Sequence, residues 1–266
     1  MNHVTSKDGT LIAYERVGRG PAVILVGGGL DDGSENAPLA TELASRFTVF
    51  NYARRGRGAS ADTLPYAVQR EIEDIAALIA EAAGPAHLFG VSSGGALVLE
   101  AAAAGLTIDK IAVYEVPYMM EEAVQERFGQ YVDQLGVALR EGRRGDAIAL
   151  FMRLAGSSDD DIAAARNSPL WSGLAVLAPT LAYDAACLGD GRPPAARLAR
   201  ITQPTLVATG AVPDPHTGGL QPGFFDEAAD AIAATIPKAE RLIIDGQAHV
   251  ADPVALSSVL ERFLSR

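Results

Sequence analysis

Short apolar runs alternate along the chain with longer amphipathic ones. Pro21-Ala22-Val23-Ile24-Leu25-Val26 is continuously apolar and ends in three glycines, the pattern of a strand buried on both faces of a parallel sheet. Residues 47–52, 86–89, 109–114, 203–210 and 241–244 repeat it. Residues 36–46, 65–83, 96–104, 224–236 and 254–263 predict the intervening helices. In the second of these Ile72, Ile75, Leu78 and Ile79 stand near helical spacing. Residues 3–17 read as a hairpin turning at Asp8-Gly9. This alternation predicts an α/β fold, with a mostly parallel sheet covered by helices on both faces. Right-handed crossovers then gather the C-terminal ends of the strands on one edge, where ligands bind.

Residues 116–200 break the alternation. They hold helical stretches at 121–139, 146–154 and 159–166 and no clear strand. They read as a helical lid inserted into a core domain made of residues 1–115 and 201–266. Met119, Met120, Phe128, Tyr131, Phe151, Met152, Leu170 and Trp171 are the lid's candidates to line an apolar substrate pocket. Methionine and aromatic residues at helical spacing also serve as plain core.

Composition narrows the function classes. At 266 residues, 48% hydrophobic and 21% charged, the chain can bury a sizeable core. A net charge of −11 argues against nucleic acid or an anionic membrane as partner. The single cysteine, Cys187, excludes an internal disulfide and fits a reducing compartment. The polar first ten residues carry no signal-peptide pattern, and no apolar run reaches the roughly 20 residues that span a bilayer. A cytoplasmic protein is expected, with a small-molecule substrate and room for a homodimer. No cluster has metal-ligand spacing and no dinucleotide fingerprint is present, so no cofactor is expected. The basic loop Arg54-Arg55-Gly56-Arg57-Gly58 precedes a polar loop rather than a helix start, which makes it structural rather than a phosphate cradle.

The chemistry concentrates in Gly90-Val91-Ser92-Ser93-Gly94. An apolar run leads in and a small-residue helical run leads out, the setting of a serine on a sharp strand-to-helix turn. Such a turn forces the serine to positive φ, and neighbouring segments pass so close that Gly90 and Gly94 must lack side chains. Ser92 Oγ then stands at the sheet edge, and the Ser93 N–H, at a helix N-terminus, points into the same space as an oxyanion donor. A serine nucleophile needs a histidine base held by a carboxylate. His249, in the loop between the last strand and the last helix, is the strongest candidate. His87 sits inside a strand and reads as packed core, and His3 is terminal. His216 lies in a Pro/Gly-rich loop as a minor candidate for substrate contact. Two acids precede His249 at the same sheet edge: Glu115, ending the strand after the serine helix, and Asp214, between two prolines beyond the late strand.

With these residues the chain resembles the α/β-hydrolase-fold serine hydrolases over essentially its full length, in particular small bacterial members with a helical lid. Residues 23–29, 54–60, 90–94, 210–214 and 246–249 carry the resemblance, in the family order of nucleophile, acid and histidine. It implies a second oxyanion donor in the glycine loop after the early strand, assigned to Gly29 with Leu30 the near alternative, and Gly28 beside the substrate. Three positions depart from the family. Gly27-Gly28 stands where His-Gly is common, and Ala53 where an aspartate is common. Pro213 stands at the usual place of the acid, one residue before Asp214. Residues 111–115 instead resemble the strand that supplies a glutamate in haloalkane dehalogenases, which ranks Glu115 slightly above Asp214. The expected activity is hydrolysis of a carboxylic ester, lactone or thioester of a small or medium apolar substrate. A non-hydrolytic enzyme on the same fold (lyase, perhydrolase or cyclising enzyme) and a ligand-binding member with vestigial catalysis are the alternatives.

Overall fold

The computed structural model describes every residue except Pro215, His216 and Gly218, so the His216 expectation lies outside the described residues. Eight strands form one sheet: β1 (Asn2–Thr5), β2 (Leu11–Gly18), β3 (Ala22–Val26), β4 (Thr48–Tyr52), β5 (Ala86–Val91), β6 (Ile108–Tyr114), β7 (Thr205–Gly210) and β8 (Ala239–Ile244). Their order is β1-β2-β4-β3-β5-β6-β7-β8. The β1–β2 and β2–β4 pairs are antiparallel, and every pair from β4–β3 to β7–β8 is parallel.

Alternate side chains of each strand feed opposite cores, as a pleat of period two requires. Val23 and Leu25 meet α1 (Ala37–Leu43) and α11 (Pro253–Leu264) on one face. Ile24 and Val26 meet α2 (Val68–Glu81), α3 (Ser93–Ala103) and α10 (Phe224–Thr235) on the other. The hairpin is present, with Gly9 at φ +88° in its turn. α11 starts where its chemistry dictates. Asp252 accepts from the N–H groups of Val254 and Ala255, both at 2.9 Å, and Pro253 takes the first turn.

Between β6 and β7 lie α4 (Glu122–Arg140), α5 (Arg144–Leu154), α6 (Asp159–Arg166), α7 (Trp171–Leu177), α8 (Leu181–Leu188) and α9 (Ala195–Leu198). The first three match the predicted stretches to within two residues. The last three were not legible. The run Trp171–Leu188 is apolar almost all round, with a mean hydropathy of 1.2, so it lacks the one-sided stripe that announces a helix. It is long and apolar enough to suggest a membrane span, but half of it is buried in the fold and a 3-10 turn, Ala178–Thr180, separates α7 from α8.

The site follows from the strand order. The chain leaves β3 toward β4 on one side, then returns past β3 to β5 and proceeds the other way. β3 and β5 are neighbours, with Val26 opposite Gly90. Their C-terminal ends therefore open a crevice where the winding direction reverses. The glycine loop after β3 and the serine turn after β5 both empty into it.

Candidate active site

Ser92 has φ 54° and ψ −129°, a conformation costly for a residue with a Cβ. The neighbouring backbone over-determines it. Ser92 N–H donates to Tyr114 O at 2.9 Å and Ser92 O accepts from Gly95 N–H at 2.9 Å. A Cβ on Gly94 would overlap the carbonyl oxygens of Val26 and Gly27, and one on Gly90 would lie 2.8 Å from Gly95 Cα. Gly94 is required because the end of β3 and its loop are packed directly on the start of α3, and Gly90 because the turn folds the start of α3 back onto the end of β5.

Glu115 follows β6 and is also left-handed, at φ 49°. Its N–H is tied to Ala208 O at 3.0 Å. This kink carries the carboxylate across the end of β7, where Oε1 accepts from Gly210 N–H at 2.8 Å and Oε2 lies 2.7 Å from His249 Nδ1. An ionised carboxylate only accepts, so Nδ1 of His249 donates in this bond and Nε2 is the nitrogen left for the serine side. The imidazole is stacked on Phe225, ring centroids 4.9 Å apart and planes 14° apart. Asp214 is buried as well, but its Oδ2 accepts from the backbone N–H of Val250 at 3.2 Å. It holds the histidine loop, helped by Val212 N–H on Gln247 O and by the Tyr114 hydroxyl on Ala248 O. The two acids thus bracket one histidine, and the one paired with the ring is Glu115.

Gly28, Gly29 and Leu30 lie across from the serine. A Cβ on Gly28 would sit 3.1 Å from Ser92 Cβ. Ser93 is the first residue of α3, whose leading N–H groups have no intrahelical acceptor. Leu30 is left-handed at φ 59°. Gly27, standing where the family carries a histidine, has a local reason. A Cβ there would collide with Asp31 Oδ2, and Asp31 uses Oδ1 to hold the N–H groups of Gly33 at 2.8 Å and Glu35 at 3.1 Å.

The basic loop is buried. Arg54, Arg55 and Arg57 are each at most 1% exposed. Arg55 pairs with Asp74 at 2.7 Å and Asp8 at 3.0 Å. Arg54 makes a bidentate pair with Glu71, both bonds 2.7 Å, and Nη1 reaches Asp184 Oδ1 at 2.7 Å and Gly27 O at 3.3 Å. Arg57 Nη2 donates to the same Asp184 Oδ1 at 2.7 Å, and its Nη1 donates to Gly28 O. Ser93 Oγ is the third donor to Asp184 Oδ1, at 2.8 Å. Burial alone would raise the Asp184 carboxyl, but Arg57 and Arg54 outweigh it and hold the group below its ordinary value. Glu71 is likewise lowered against its burial, chiefly by Arg54. Burial would lower Arg54, yet Glu71 and then Asp184 raise it well above its ordinary range. Asp184 comes from α8, in the stretch that showed no helical stripe. The only sequence signals for it were a lone acid in an alanine-rich apolar run and three arginines without assigned partners.

A cavity of about 510 Å³ joins these groups. Ser92, Ser93, Gly28, Gly29, Leu30, His249 and Asp184 line it, with Met119, Phe128, Tyr131 and Phe151 from the helices between β6 and β7. Four expected lining residues are absent from its walls. Leu170 is 74% exposed and Met120 is 42% exposed, both turned to solvent. Met152 and Trp171 pack against the main core, with the Arg166 guanidinium 5.6 Å from the Trp171 ring centroid. Their helices present other faces to the crevice. Phe225 and Leu174 occupy the walls instead. His87 is buried in the strand layer, edge-on to Phe47 at 6.1 Å. Among the described residues no group of His, Cys, Asp and Glu could hold a metal ion.

Comparison with known proteins agrees with this architecture. The chain is 44% identical to an alpha/beta hydrolase from Sphaerobacter thermophilus of known structure, with a TM-score of 0.88, 99% of this chain and 100% of that one being covered. It is 29% identical to the uncharacterized hydrolase YraK of Bacillus subtilis over 57% of this chain and 59% of that protein. It is 34% identical to a pimeloyl-[acyl-carrier protein] methyl ester esterase of Stenotrophomonas maltophilia over 44% of this chain and 48% of the esterase. The chain thus spans about half to three fifths of these curated relatives. A family model described as the alpha/beta hydrolase family matches residues 22–259. That match runs from β3 into the last helix and takes in the serine turn, the glutamate and the histidine loop, so the chain belongs to the alpha/beta hydrolase family.

Proposed function

We propose that this hydrolase is a serine enzyme that cleaves a carboxylic ester, lactone or thioester of a small or medium apolar substrate. The observation that carries the reading is Glu115 Oε2 at 2.7 Å from His249 Nδ1, with the strained Ser92 on the wall of the same cavity. Ser92 Oγ attacks the carbonyl carbon as its proton passes to His249 Nε2. The oxyanion is taken by the N–H groups of Ser93 and Gly29, with Leu30 adjacent. Collapse of the tetrahedral intermediate breaks the bond to the leaving oxygen or sulfur, which takes the proton from Nε2. Water then releases the acid by the same route in reverse. Helices α4 to α9 act as a lid, and their apolar side chains on the cavity wall favour an apolar acyl or alcohol group. The relative that is a methyl ester esterase supports ester chemistry. Two of the three departures from the family pattern have local explanations: Glu115 pairs with the histidine in place of an acid at Pro213, and Asp31 fills the room beside Gly27.

A fluorophosphonate probe combined with p-nitrophenyl butyrate tests the reading. Labelling is expected on Ser92, and Ser92→Ala is expected to lose labelling and turnover while keeping its melting temperature. Turnover that survives in Ser92→Ala, or a folded wild-type protein inert to both reagents, overturns it.

A further inference from the structure

Three donors converge on one carboxylate oxygen, Asp184 Oδ1: Arg54 Nη1, Arg57 Nη2 and Ser93 Oγ, at 2.7, 2.7 and 2.8 Å. Each donor belongs to a part of the site that must hold still. Ser93 bears one oxyanion N–H. Arg54 and Arg57 also donate to the carbonyl oxygens of Gly27 and Gly28, which precede the other donor at Gly29. Asp184 Oδ2 stands 3.5 Å from where a Cβ on Gly29 would be. The carboxylate is therefore bonded to Ser93 on one side of the hole and, through Arg54 and Arg57, linked to the backbone just before Gly29 on the other, although it arrives from α8, between β6 and β7 and far along the chain.

We propose that Asp184 is a positioning residue: docking of α8 onto the core sets the spacing between the Ser93 and Gly29 donors, so that the helical insertion assembles the oxyanion hole as well as covering it. The charges fit this role. Arg54 and Arg57 balance Glu71 and Asp184, so the cluster is neutral and nearly dry, and its bonds are not weakened by water. Donors preorganised in such a setting contribute most to transition-state stabilisation, and displacement by about 1 Å costs on the order of 100-fold in rate. The helix α8 has further anchors that do not involve the Asp184 carboxylate. Tyr183 stacks on Tyr66 at 3.7 Å between centroids and bonds Asp62 at 2.7 Å, so a change at Asp184 alone need not release the helix.

A purely electrostatic role makes the opposite prediction. A carboxylate beside the hole opposes an oxyanion, so its neutralisation alone would raise the rate. The experiment is Asp184→Asn, with Ser93→Ala as a second variant that leaves every ion pair intact. In Asp184→Asn, kcat for p-nitrophenyl butyrate is expected to fall about 10- to 100-fold with KM within about twofold. Affinity for phenylboronic acid, a tetrahedral mimic, should fall by the same factor. Ser93→Ala should show the same split, and the double variant should lose less than the product of the two. Hydrogen exchange supplies a readout that does not depend on catalysis. The segments 27–31 and 93–95 should exchange faster in Asp184→Asn, with β7 and β8 unchanged. Unchanged exchange there, or a kcat that holds or rises, overturns the inference. Because the inference rests on Ser92 as nucleophile, a wild-type protein without turnover would sink that reading alone; the exchange experiment would still decide this one.

Discussion

Glu115 Oε2 lies 2.7 Å from His249 Nδ1, while the nearby Asp214 carboxylate accepts a backbone N–H from Val250. The two acids are therefore not interchangeable. Glu115→Gln should lower kcat by about 10³- to 10⁴-fold, because an amide in place of the carboxylate disfavours the productive tautomer and no longer stabilises the imidazolium. Asp214→Asn should cost at least about 100-fold less than that, since it loosens the histidine loop without removing the partner of the ring. Steady-state kinetics of the two variants on one ester settles the order, and a larger loss from Asp214→Asn would reverse the assignment.

The serine turn predicts a contrast between two glycines. A Cβ on Gly94 meets the backbone carbonyls of Val26 and Gly27, which cannot retreat without shifting β3. One on Gly29 meets the ring edge of Phe151 at 3.2 Å, which can turn into the cavity. Gly94→Ala should thus be recovered as insoluble or strongly destabilised protein. Gly29→Ala should fold with nearly unchanged melting temperature and reduced turnover. Equal melting temperatures for the two variants would contradict this packing.

Burial pushes the Cys187 thiol up to about 12, and the side chain is enclosed by α8 and the Arg54 cluster. At pH 8 it is almost wholly protonated and sheltered, and a protonated thiol is a poor nucleophile. The native protein should not react with Ellman's reagent over minutes, and one equivalent should appear on denaturation. Fast labelling of native protein would show that α8 leaves the core readily.

Acid should attack the same cluster. Glu71 and Asp184 have folded values below their ordinary ones. Such groups contribute stability that is present above their unfolded values, roughly pH 4, and is lost as pH falls through the folded values. Asp31 and Asp74, raised mainly by burial, act in the opposite sense. Their folded forms bind protons more readily, so they favour the fold as pH falls toward 4. The melting temperature should therefore hold near neutrality and drop below about pH 4. In Glu71→Gln, which starts from a lower value, that drop should be shallower. A parallel drop in the two proteins would remove Glu71 from the account.

What the sequence could show follows from the range of each interaction. The strained turn is written in Gly90 and Gly94, because a close approach of backbones leaves a local mark. The strands show as unbroken apolar runs because both sheet faces are covered. The choice between Glu115 and Asp214 is not written locally. It depends on a left-handed residue after β6 that swings its carboxylate over β7, and no neighbouring residue type demands that. Helices α7 and α8 were hidden by being apolar on nearly every side. Asp184 was hidden with them, since its partners Arg54 and Arg57 stand more than 120 positions away. Met152 and Trp171 missed the cavity because helix phase, not residue type, decides which side chain faces inward, while Met120 and Leu170 lie just ahead of α4 and α7 and turn to solvent.

The carboxylate shared by Arg54 and Arg57 has a consequence for how such enzymes diversify. A segment grafted between β6 and β7 in this chain must bring an acid to the same spot. A graft lacking one would leave the Arg57 guanidinium buried without a carboxylate and Arg54 with Glu71 alone, at a cost of about 3–5 kcal/mol for a broken buried pair. Selection for a new substrate can then reshape Phe128, Tyr131 or Phe151 freely, while the position of Asp184 and the two arginines must change together or not at all.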